Sequence, residues 1–319
     1  MNEPTPDQEM PNVQNSEPPP KMVLFTLGGL VFLCMMMGSG LLALACQLQG
    51  IDMKAVFAGF GADSPVEIRN FMRGALLLNH TATFLLPALL VGWIFYKKNW
   101  SVAVLLDRKP SFSTLVQGLL FVMAAFTFAQ FALPANRWLV EQLPFMESLA
   151  SNETATESLM LGLLVMQSPW EMLFSILVMA VVPAVGEEMV FRGFVQHHLV
   201  RLTRRPALSI GLAALIFSLA HFQAQRLLPI LLLGVALGLL FYWTKSLWVP
   251  IAAHFFNNGA QVVVAYFNQD KLSDLNEGVG GELPLPVIAL AAILLGWTGY
   301  LLWKKSRSND QPPAGFTTI

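Results

Sequence analysis

The chain is built from apolar runs about 20 residues long, the length an α-helix needs to cross the hydrocarbon core of a bilayer. They fall at about 22–46, 71–95, 112–133, 170–191, 207–224, 226–243, 249–267 and 285–303. The fold expected is therefore all-α and polytopic, with about eight transmembrane helices. Charged residues make up 12% of the 319 residues, and 55% are hydrophobic. A soluble domain carries roughly a quarter charged residues. A net charge of −1 gives no basic face for a nucleic-acid partner. Cys34 and Cys46 both fall in the first run, too few for a disulfide framework or a cysteine zinc site.

Residues 1–20 are polar, acidic and proline-rich, and are read as a disordered cytoplasmic tail. One membrane domain is expected over 21–305, followed by a polar C-terminal tail at 306–319. With both termini placed in the cytoplasm, the inner loops and ends hold twelve Lys and Arg against six outside, with Arg192 set aside as buried. That bias orients the chain. The short termini suit a multi-pass protein of a bacterial inner (plasma) membrane. The loop at 134–169 is long and acidic, with an interfacial helix expected near 136–150.

Against this background Glu187 and Glu188, adjacent within the fourth run, stand out. An ionisable residue at membrane depth costs a few kcal/mol or more and is a functional candidate by default. Arg192 follows Glu188 by four residues, so the two share a helix face and can pair. Glu187 points about 100° away and lacks that partner. An unpaired carboxylate in an apolar site suits a general base.

The polar turn Thr203-Arg204-Arg205, followed by Pro206, reverses the chain. His221 lies as far beyond residue 204 as Glu187 lies before it, so a helical hairpin would set the two side chains at equal height. His254 and Asn258 are an i,i+4 pair in the seventh run. A base, two imidazoles and an amide around a buried, wetted cavity suit amide hydrolysis. Glu187 and His221 would activate water, with His254 and Asn258 facing the oxyanion. The same groups could instead hold zinc, with Glu187, His221 and His254 as ligands and water at the open position. Asn79 and His80 could line the cavity, but a hydrogen-bonded pair in the core is the favoured reading; His197 and His198 read as interfacial, and Gly234 and Gly238 as a helix-packing face.

Glu-Glu-x-x-x-Arg (187, 188, 192), Phe-x-x-x-His (217, 221) and His-x-x-x-Asn (254, 258), in that order on successive helices, resemble the CPBP family of intramembrane proteases. That family takes in the type II CAAX prenyl endopeptidases and the Abi-like proteins of bacteriocin processing and immunity. The resemblance covers about 165–265 and implies an eight-helix protease. In it Glu187 and His221 would activate water, His254 and Asn258 would stabilise the oxyanion, and Glu188 and Arg192 would support the site. It implies a peptide or membrane-anchored protein substrate within the lipid bilayer. The mechanism stays open between a metal-free glutamate and a possible zinc ion. Two other classes fit the same residues: a non-catalytic immunity or scaffold protein, and a proton-coupled transporter with Glu187 and His221 as its relay.

Overall fold

A computed structural model describes residues 17–143, 146, 153–272 and 283–308. The N-terminal tail to residue 16, most of 144–152 and the C-terminal tail beyond 308 lie outside the described residues. Only the first part of the segment expected to form an interfacial helix near 136–150 is therefore described.

Helices account for nearly all of the rest. The eight longest are α1 (Pro20–Leu48), α2 (Val66–Ala103), α3 (Phe112–Gln142), α4 (Pro169–Thr203), α5 (Pro206–Leu219), α6 (Ala224–Thr244), α7 (Trp248–Phe267) and α8 (Leu285–Ser308). Among the described residues six of these, all but α5 and α7, are long and apolar enough to cross a membrane. The protein is a polytopic all-α membrane protein with six such helices, not the eight expected from the apolar runs. The two exceptions have separate causes. The fifth run does not stay helical: α5 is 14 residues long and stops at Leu219, before a turn in which Phe222 takes a φ of 52°. α7 has 20 residues, but His254, Asn257, Asn258 and Gln261 lower its apolarity.

Local chemistry sets the boundaries. α4 opens with Ser168 as its cap, the hydroxyl accepting from the Glu171 N–H at 3.3 Å, and with Pro169 in the first turn. It closes at Arg204, whose φ of 56° lets the chain turn into Pro206 of α5. The loop between α6 and α7 turns in the same way through Lys245, with φ at 52°.

α4 is the most enclosed candidate span, with 56% of its apolar window buried against 17–39% for the other five. It runs against α2, α5 and α7. Phe191 and Phe194 of α4 pack with Val91 of α2, Phe217 of α5 and Phe241 of α6. A second core joins Phe121 and Val122 of α3 to Leu237 and Leu240 of α6, Val249 of α7 and Leu302 of α8. The outer surface is apolar, with Phe25, Phe112, Trp170 and Leu285 exposed, while Arg73, Glu188 and Arg192 are enclosed. That inverted distribution is what a lipid solvent favours.

Candidate active site

The fourth helix is irregular around its acid pair. Leu177–Val181 and Met189–Gln196 are π-helical, and only Val182–Glu188 between them is α-helical. In α2 the π segment Thr81–Leu85 begins one residue after His80. Single π turns inside α-helices widen the backbone and often mark functional positions. The π segments of α2 and α4 meet near Gly186, where a Cβ would stand 3.1 Å from the Leu85 nitrogen. Glycine there lets the two backbones close up and brings α2 to the acid pair.

Glu188 is fully enclosed, and its Oε1 accepts from Arg192 Nη1 at 2.8 Å and bonds His254 Nδ1 at 2.8 Å. A carboxylate paired with a guanidinium can only accept, so Nδ1 of His254 carries the hydrogen and Nε2 is left free of that bond. That Nε2 stands 3.9 Å from Glu187 Oε2. Arg192 also donates to the Gly234 carbonyl at 3.0 Å and lies over the Phe217 ring, 4.5 Å from its centroid. One turn on, Gln196 donates to the Gly238 carbonyl at 2.9 Å. The two glycines therefore do more than pack. Without side chains their carbonyls are open to α4, and a Cβ on Gly238 would meet Gln196 Oε1 at 2.7 Å.

Each acid has one buried oxygen, Oε2, without a hydrogen-bond partner among the described residues, but Glu187, unlike Glu188, also lacks short bonds at Oε1. The Oε1 of Glu187 is 3.8 Å from His80 Nδ1. His80 Nδ1 is buried and unpartnered as well. His80 lies within electrostatic reach of Glu187, His221 and His254 together. Asn79, expected to pair with it, is exposed instead.

His221 sits just past the end of α5, not within a helix as expected. It donates Nδ1–H to the Phe217 carbonyl at 2.8 Å, the only role a carbonyl acceptor allows. Its ring lies 4.6 Å from that of Phe217, which also flanks His254 at 6.3 Å. His221 makes no direct bond to Glu187 among the described residues, although both lie within electrostatic reach of His80. Asn258 donates to the Met179 carbonyl, within the first π segment, at 3.2 Å and accepts from Asn257 at 3.2 Å. His197 and His198 are buried within the bundle, and His198 is held between the Tyr96 hydroxyl and the Phe194 carbonyl, each at 2.8 Å.

His80 is the residue the sequence undervalued. Its only signal was an ionisable side chain in an apolar run, and nothing in α2 says which neighbour it meets. As for a metal, no three His, Cys, Asp or Glu side chains among the described residues are grouped closely enough to hold one. Glu187, His221 and His254 thus do not form a ready ligand set for zinc.

The acid pair and its arginine lie on α4, His254 and Asn258 on α7, and His221 just past the end of α5, all within the membrane bundle. Comparison with known families gives that arrangement a class. Residues 169–260 match the family model described as type II CAAX prenyl endopeptidase Rce1-like, so this stretch of the membrane bundle is similar to that family. Among curated proteins it is similar to the uncharacterized protein YpbD of Bacillus subtilis (strain 168), with 38% identity over 76 residues. That match covers 23% of this chain and 35% of YpbD, so the chain spans about a third of the length of its curated relative. No solved structure matches the chain.

Proposed function

We propose that the protein is an intramembrane endopeptidase that hydrolyses a peptide bond of a membrane-anchored substrate near the cytoplasmic side, using water activated by Glu187. One observation carries the reading: Glu187 is buried, yet its Oε2 is unpartnered and imidazole nitrogens stand 3.8 and 3.9 Å from its two oxygens. A structural carboxylate in lipid would be tightly bonded. Gaps of this size are too long for direct hydrogen bonds and can tighten once substrate and water enter.

In the proposed reaction Glu187 takes a proton from water as the water oxygen bonds to the scissile carbonyl carbon. The carbonyl electrons move to oxygen, and Asn258 and the Nε2 of His254, in its protonated form, donate to that oxyanion. The proton returns to the leaving nitrogen as the C–N bond breaks, through Glu187 or the Nε2 of His221. Glu188, shared by Arg192 and His254, fixes the imidazole so that Nε2 faces the reacting atoms. The Lys and Arg bias supports a cytoplasmic location for both termini.

The test is cleavage of a panel of membrane-anchored peptides by the parent protein and Glu187→Gln in proteoliposomes. The parent cuts, and the variant loses at least about 10²-fold, the lower end for removal of a general base. Equal cleavage would remove Glu187 from the chemistry, and no cleavage by a folded parent would favour a binding role. Activity also persists after chelation. Loss on chelation with recovery on adding zinc would instead assign Glu187, His221 and His254 as metal ligands.

A further inference from the structure

A trough of about 510 Å³ lies between α3, α6 and α8 and shares no residue with the acid cluster. Its volume is within the ~300–1,000 Å³ usual for small-molecule sites. Phe121 and Phe128 of α3, Leu232 and Trp243 of α6, and Tyr300 and Trp303 of α8 line it. From Leu232 to Trp243 is about 16 Å along a helix. One leaflet of hydrocarbon is about 15 Å deep, half the core thickness. The trough thus spans a single leaflet.

Its ends differ. The deep end is apolar. At the other, α6 and α8 finish, α3 begins, and the aromatic rings of Trp243, Tyr300 and Trp303 gather as they do at a membrane interface. Cations stand at that end. The Arg307 guanidinium lies over the Trp303 ring, 4.4 Å from its centroid. Lys305 donates to the hydroxyls of Thr114 at 2.6 Å and Ser111 at 3.2 Å at the start of α3. Neither forms an ion pair among the described residues. Gly296 keeps the trough open: a Cβ there meets nothing within 4 Å.

We propose that this trough binds one anionic phospholipid, with an acyl chain along it and the phosphate at Lys305 and Arg307. The shape fits a chain of one leaflet, and the charge fits a negative headgroup. The site does not depend on the protease reading.

Native mass spectrometry of the full chain in mild detergent tests this, with phosphatidylglycerol and phosphatidylcholine of matched acyl chains as probes. The expected result is one phosphatidylglycerol bound in preference to phosphatidylcholine, by about fivefold for each basic residue engaged. Gly296→Leu, which fills the trough, weakens both lipids several-fold, whereas Gly28→Leu on α1, where an added Cβ also meets nothing, changes neither. Arg307→Gln and Lys305→Gln each reduce the preference while leaving phosphatidylcholine binding as it was. Circular dichroism melts of every variant establish that it is folded. Equal binding of the two lipids, or no effect of Gly296→Leu in a folded variant, overturns the proposal. So does a lipid-independent dimer that Gly296→Leu dissolves, which would make a second copy of the chain the occupant.

Discussion

The helices α2 and α4 enclose two buried carboxylate sites, and these differ in kind. Toward the start of both helices, Glu171 Oε2 meets Arg69 Nη2 at 3.2 Å and Arg73 Nη1 at 3.1 Å, and its Oε1 accepts from the Gln167 N–H at 3.3 Å. Arg73 also donates to the carbonyl of Leu163 at 3.1 Å, tying the segment before α4 to α2. Both oxygens of that acid are engaged. Farther along, Glu187 sits among imidazoles with one buried oxygen unpartnered. Both acids are buried; on the proposed reading, what separates chemistry from architecture is that Glu187 keeps bonding capacity that Glu171 has spent.

That contrast can be broken in several ways, and the largest effect belongs to Glu187. Glu187→Gln is expected to lower peptide cleavage by about 10²–10⁴-fold. Because its oxygens make no short bonds, the thermal midpoint in detergent stays close to the parent's. A large fall in that midpoint would make Glu187 a structural acid like Glu171.

Glu171→Ala gives the opposite pattern. It leaves Arg69 and Arg73 buried beside each other without their acid, and removing one partner of a buried pair costs about 3–5 kcal/mol. Thermal unfolding in detergent should show the loss, while cleavage per folded molecule is unchanged.

His80→Gln is expected to lower kcat by about tenfold, below the range for a general base, with KM and the melting profile held. A raised KM with kcat intact would make His80 a contact for substrate instead. Gly186→Ala has the smallest effect. Its Cβ would sit 3.1 Å from the Leu85 nitrogen and from Phe84 Cβ, so α2 must yield by a few tenths of an ångström. The cost is about 1 kcal/mol, seen as a modest drop in melting temperature. Activity should fall further than that cost alone implies if the spacing of His80 and Glu187 matters.

The sequence carried the all-α membrane architecture because apolar length is a local property that lipid reads directly. It also carried the Glu188–Arg192 pair, because i,i+4 spacing on a helix leaves little choice of partner. The reversal at Thr203–Arg205 was legible for the same reason, since proline and a polar run fix a turn wherever they fall. The count of spans was less legible. An apolar run at 207–224 gives no sign that its helix ends at Leu219, while the polar residues that thin α7 stand in the sequence but are outweighed by the length of the run.

What belongs to tertiary structure is which groups meet. His80 comes to Glu187 from a helix more than a hundred residues earlier, because Gly186 and two π segments let α2 and α4 approach closely. His254 is turned toward Glu188, Asn258 toward an opened carbonyl of α4, and the Gly234 and Gly238 carbonyls toward Arg192 and Gln196. Periodicity along one helix assigns a residue to a face. It holds no information about the neighbour across that face, which is set by the packing of the whole bundle.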